Sequence, residues 1–113
     1  MMYKQGDMGE MDEAHALKYL QMAYNLNDSA AGQAANEIGL IFYNNNNFKQ
    51  ANDWFRKSGE AGCDFGWLYL GESYRDGEGV ARNKEQARKC FQRAYDMHGE
   101  AESRARRALD QLR

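Results

Sequence analysis

Apolar residues recur along this chain in steps of three, one and three. Ala35, Ile38, Gly39 and Phe42 form one such set, and Trp67, Leu70, Gly71 and Tyr74 form another. These steps return side chains to one face of a 3.6-residue helix, so each set predicts an amphipathic helix whose stripe packs against a neighbour. A second kind of stripe alternates with the first: Ala16, Tyr19, Leu20, Ala23, then Ala51, Trp54, Phe55, Ser58, then Ala87, Cys90, Phe91, Ala94. Here small residues bracket a bulky one, as suits a helix that nestles on one partner while its aromatic fills the gap between partners. Glycine inside a helix costs about 1 kcal/mol, and at positions 39 and 71 it predicts close approach of an antiparallel neighbour.

The stripes belong to an internal repeat. Tyr74, Gly77, Ala87, Phe91 and Ala94 match Tyr3, Gly6, Ala16, Leu20 and Ala23 at a constant offset of 71 residues, and a further copy between them sets the period near 35. Turn-forming runs fall where helical hairpins need them: NLNDSAAG, NNNN at Asn44 to Asn47, SGEAGCD and DGEGVARN. Asparagine, aspartate and glycine tolerate left-handed backbone and cap helices. The expected organisation is one repeat domain over 1–113. It divides into a partial first repeat (1–27, mainly its second helix), a second repeat (30–60), a third with a longer loop (63–97) and a C-terminal capping helix (99–113). In that cap Ala105, Ala108, Leu109 and Leu112 face inward, and Arg104, Arg106, Arg107 and Arg113 are solvated.

Composition supports helix throughout. There is no proline in 113 residues, and β-branched strand formers are scarce. A net charge of −2 argues against a nucleic-acid backbone or an anionic membrane surface as partner. No stretch approaches the roughly 20 apolar residues of a membrane span, and the start lacks the apolar run of a secretion signal. Compartment stays open. Cys63 and Cys90 are expected as small buried thiols, with a disulfide the main alternative.

With these spacings laid out, residues 35 to 58 resemble a tetratricopeptide repeat, with Ala35 in place of the tryptophan. Residues 67 to 94 keep WLYLGESY and then hold four extra residues before Ala87. That bend, YRDGEGVARNKEQA, resembles the Sel-one-like repeat family, the long-loop relatives of tetratricopeptide repeats. The N-terminal YKQGDMGEMDEAHA is similar to the same loop in weaker form, with Met11 and Asp12 departing from it. Because Tyr3 aligns with Tyr74, the chain is expected to start mid-repeat. The resemblance implies an all-α fold, a right-handed α/α superhelix (solenoid) of antiparallel hairpins. It also implies a scaffold or adaptor that binds a protein or peptide on the concave face lined by the first helices.

Counting outward from Gly39 and Gly71, the candidate partner-binding residues on that face are Asn36, Leu40, Tyr43, Leu68, Glu72 and Arg75. Leu40 and Tyr43 offer apolar contact, Asn36 a hydrogen bond to extended backbone, and Glu72 or Arg75 charge selection. A second reading has the truncated repeat ends stacking into a homo-oligomer, through residues around Tyr3 and Leu109. No catalytic constellation stands out. His15 and His98 are isolated from metal-ligand spacing, the Gly77–Gly79 glycines lack a phosphate-loop pattern, and Trp54 and Trp67 read as core. Neither cofactor nor metal is expected.

Overall fold

A computed structural model describes the backbone of residues 5–112 and the side chains of residues 13–112. Six helices follow one another with no strand among the described residues: α1 (Gln5–Asn25), α2 (Ala31–Asn44), α3 (Phe48–Glu60), α4 (Asp64–Asp76), α5 (Lys84–Asp96) and α6 (Glu102–Gln111). Each packs mainly on its neighbours in sequence, so α2/α3 and α4/α5 are helical hairpins stacked side by side. The first helices α2, α4 and α6 also touch in succession along one face. This is an all-α repeat solenoid, 49 × 29 × 22 Å in extent.

The turns between stacked hairpins close in the same way. Asn27 (φ 55°), Gly62 (φ 106°) and His98 (φ 55°) each take the left-handed backbone that lets a short connection reverse direction. Asp28 accepts a hydrogen bond from the Ala30 amide at 2.9 Å, and Asn83 caps α5 by accepting from the Gln86 amide at 3.0 Å. The asparagine run bends the chain between α2 and α3, with Asn46 at φ 66°.

The two glycines do what their spacing predicts. A Cβ on Gly39 would lie 2.6 Å from the Phe55 ring, and one on Gly71 would lie 2.7 Å from the Phe91 ring. Each aromatic therefore fills space that a first-helix side chain would otherwise occupy. Ala51, Phe55 and Ser58, like Ala87, Phe91 and Ala94, are at most 1% exposed. Buried Ser58 satisfies its hydroxyl by donating to the Gly32 carbonyl at 2.7 Å.

The long loop between α4 and α5 turns back onto the preceding hairpin. Tyr43 in α2 donates its hydroxyl to Glu78 Oε1 at 2.9 Å, and Asn52 in α3 donates its amide to the Glu78 carbonyl at 2.8 Å. Gly79, at φ 77°, lies so close to Phe48 and Lys49 that a Cβ there would come within 2.7 Å of their backbone. Glycine is thus required at position 79 both by its dihedral and by its neighbour.

Three expectations are corrected. The glycine-bearing N-terminal segment is helical from Gln5 rather than a bend. The loop of the third repeat is held by Tyr43 and Asn52 of a preceding hairpin, and among the described residues no such hairpin precedes α1. Trp54 is only half-buried, edge-on to Tyr24 with Lys57 over its ring. Cys63 is half-buried at the start of α4; both cysteines are free, and only Cys90 is buried. Tyr3 and Arg113 lie outside the described residues.

Two outcomes follow from this packing. Gly71→Ala should lower stability by about 1–3 kcal/mol through overpacking against Phe91, despite alanine's better helix propensity. A raised urea midpoint would contradict the close approach. Burial pushes the Cys90 thiol up to about 11. Alkylation at pH 8 should therefore modify Cys63 at least about tenfold faster than Cys90, as mass spectrometry of the two peptides would show.

Candidate functional site

Because α2, α4 and α6 stand side by side, residues on their outer surfaces form one continuous face. Three clefts run along it. The first, about 380 Å³, lies between Gly32, Gln33 and Asn36 of α2, Asp64 and Phe65 of α4, and the turn at Gly99 and Glu100. The second, about 130 Å³, is lined by Leu40 and Tyr43 from α2, Tyr69, Glu72 and Asp76 from α4, and Glu78. The third, also about 130 Å³, lies between Glu72 and Arg75 of α4 and Arg104, Arg107 and Gln111 of α6. The two smaller clefts suit single side chains rather than an enclosed small molecule, which ordinarily needs roughly 300 Å³ or more.

Five of the six residues chosen from the sequence line these clefts, and the sixth does not. Leu68 is fully buried in the core. It precedes Gly71 by three residues, and i, i+3 positions share a helix face, so Leu68 points into the packing and not away from it. Asn36 stands in the same relation to Gly39 and is also buried, 9% exposed. At this position one hairpin carries leucine and the other asparagine. The Asn36 carbonyl oxygen has no hydrogen-bond partner among the described residues. An acceptor buried this way costs about 1–3 kcal/mol relative to a satisfied one.

Tyr43 has a structural task as well as a place in the second cleft. Its hydroxyl is held by Glu78, and that hydrogen bond, with burial adding to it, raises the Tyr43 pKa above the usual phenol value. Arg75 is engaged by its own neighbour, donating Nε to Asp76 at 2.9 Å, which raises the Arg75 pKa and lowers that of Asp76. Its charge is therefore already partly answered. Glu72 is more telling. Burial raises its carboxyl pKa, against the opposing pull of Arg104 and Arg75. The Arg104 guanidinium reaches Glu72 at 3.5 Å.

Sequence reasoning missed three residues on this face. Phe65 and Tyr69 stack with ring centroids 6.0 Å apart, and the Arg104 guanidinium sits 5.7 Å from the centre of Tyr69 and 6.0 Å from that of Phe65. Their signal was present: Phe65, Tyr69 and Glu72 step by four and three along α4 and so share one stripe. Arg104, assigned to solvent, is drawn onto that stripe by two rings and a carboxylate.

Among the described residues, no group of three or more His, Cys, Asp or Glu side chains gathers where it could hold a metal ion. Nor is any helix there long and apolar enough to cross a membrane.

No curated protein matches the sequence. The sequence model of the Sel1 repeat matches it three times, at residues 1–28, 33–63 and 68–98. The second and third matches fall on the two hairpins whose glycines admit an aromatic ring, and the matches span most of the chain. The chain therefore belongs to the Sel1 repeat family.

Proposed function

We propose that the α2–α4–α6 face binds an extended segment of a partner protein. Repeats of this family generally mediate protein–protein interaction. The observation that carries the finer reading is Asn36: a buried amide with an unpaired carbonyl, lining the largest of the three clefts on this face, at a position where the following hairpin has leucine. Stability alone would favour leucine there. A donor on the partner, such as a backbone N–H, would answer the unpaired acceptor.

The neighbouring groups fit the same kind of ligand. Phe65 and Tyr69 provide flat apolar contact beside Asn36 and Leu40, and Tyr residues of this kind are rigid anchors at low entropic cost. Glu72, half-sheltered between Arg104 and Arg75, would select a cationic side chain, while Arg104 would select an anionic one by leaving Glu72. Because Glu72, Arg75 and Arg104 keep partial solvent contact, these pairs tune partner choice more than affinity.

The test is a displayed peptide library selected on the purified chain, followed by titration of the enriched peptides against Asn36→Leu. The variant should be more stable by about 1 kcal/mol, having lost a buried unpaired acceptor. It should also bind at least about tenfold more weakly, the equivalent of about 1.4 kcal/mol. Peptides retained with unchanged affinity would remove Asn36, and the face built around it, from the binding site.

A further inference from the structure

A cleft of about 270 Å³ opens between α3 and α5, over α4. It shares no residue with the three clefts on the α2–α4–α6 face. Trp67, Leu70 and Cys90 are its buried lining, with half-buried Tyr74 beside them. Arg56 of α3 and Lys89 and Arg93 of α5 line it as exposed residues. One carboxylate, Glu60, lines it too, so three positive charges stand against one negative.

Other arginines of the chain have an acid at hand: Arg75, Arg88 and Arg104 each lie within 3.5 Å of a carboxylate oxygen. Among the described residues, Arg56, Lys89 and Arg93 form no ion pair, either with Glu60 or with any other group. Aromatic side chains position the two guanidiniums instead. Arg56 donates Nη2 to the Tyr74 hydroxyl at 3.1 Å, and the Arg93 guanidinium lies 4.6 Å from the centre of the Trp67 ring. Neither contact neutralises the charge. Both charges also reach the Cys90 thiol, where burial raises the pKa and Arg56 and Arg93 each oppose the rise. The two arginines thus converge on one floor from two helices.

The repeat itself does not call for these charges. With Phe91 of α5 set against Phe55 of α3, Gln92 stands in the place of Arg56 and Asp53 in the place of Lys89. A neutral or acidic residue therefore satisfies the same helical position in the other hairpin, and the cations are particular to this groove. Like charges gathered in one cleft repel, and an anion placed among them removes that repulsion. Guanidinium forks from two helices suit an anion with oxygens on several sides, as a tetrahedral phosphate has and a planar carboxylate has not. The surplus of two positive charges matches a phosphate monoester, which carries about −1.5 to −2 at pH 7. We propose that this cleft binds a phosphate monoester dianion through Arg56, Lys89 and Arg93. The site is independent of the α2–α4–α6 face, and Asn36→Leu should leave it unchanged.

Trp67 reports occupancy, because an anion that draws Arg93 toward itself changes the contact over the indole. In the full chain carrying Trp54→Phe, methyl phosphate titrated above pH 7 at constant ionic strength should change Trp67 fluorescence saturably, with calorimetry as a second measure. Raising the ionic strength should weaken binding, since the cations keep solvent contact. Arg56→Gln and Lys89→Gln should each weaken it at least about threefold, and Glu60→Gln, which removes the acid of the cleft, should tighten it about twofold. All three positions are exposed, and opposite signs among them separate a change in binding from a loss of structure, which circular dichroism checks. A phosphoserine peptide held more tightly than methyl phosphate would make a phosphorylated protein the source of the ester, and equal affinity would make it a small molecule. Titrations flat by both measures would overturn the proposal, as would acetate binding as tightly as methyl phosphate. So would an oligothymidylate binding equally well per phosphate, which would make the cleft a general polyanion patch.

Discussion

The fold depends on places where a helix has no side chain, and two of them recur from one hairpin to the next. At Gly39 and Gly71 the rings of Phe55 and Phe91 enter the space that a Cβ would fill, and this close approach sets the rest of the hairpin. It requires the alanines and serine that flank each ring to be small, and it brings them to near-zero exposure. It also fixes helix rotation. Once the glycine edge of a first helix faces its partner, the residues three positions earlier turn inward, and the stripe containing Phe65, Tyr69 and Glu72 turns outward.

The outward face is therefore a by-product of core geometry, and its chemistry is added on top. Its ion pairs are partly solvated and each contributes little to stability. What distinguishes the face is a polar group where the interior would take a hydrocarbon. Asn36 costs stability in its own hairpin, whereas Leu68 at the same place in the next hairpin contributes to the core. Asn52 Oδ1 is likewise buried without a partner, although its amide donates to the Glu78 carbonyl, so among the described residues the array departs from full satisfaction in more than one place.

Most of the architecture was legible because helical stripes and turn residues report on local geometry. The repeated steps around Gly39 and Gly71, the small–large–small pattern of the second helices and the asparagine bend all have counterparts in the helices and turns described. What escaped depends on distance between elements. Counting from Gly71 alone turns Leu68 outward, but Gly71 faces the Phe91 ring of another helix, and that rotation puts Leu68 in the core. Trp54 sits beside α1 rather than under a first helix, so it is only half-covered. The N-terminal glycines resembled a bend, yet a bend of this type is held by tyrosine and asparagine side chains from another hairpin, and no reading of the loop alone reveals whether that hairpin is there. Arg104 reads as solvating charge from α6 alone, because Phe65, Tyr69 and Glu72, which lie beneath it, belong to α4.

The tether from Glu78 back to Tyr43 and Asn52 has a consequence for how such arrays grow. In a solenoid, energy resides in each unit and in its border with the next, and here part of the closure of α2/α3 belongs to the successor. A gene duplication cut between α3 and α4 would part the phenol from its carboxylate and the amide from its carbonyl. One that copied both hairpins as a block would keep them paired. Of the two routes, lengthening by whole couples, a short-turn hairpin with the long-loop hairpin behind it, is the one that keeps both Glu78 bonds.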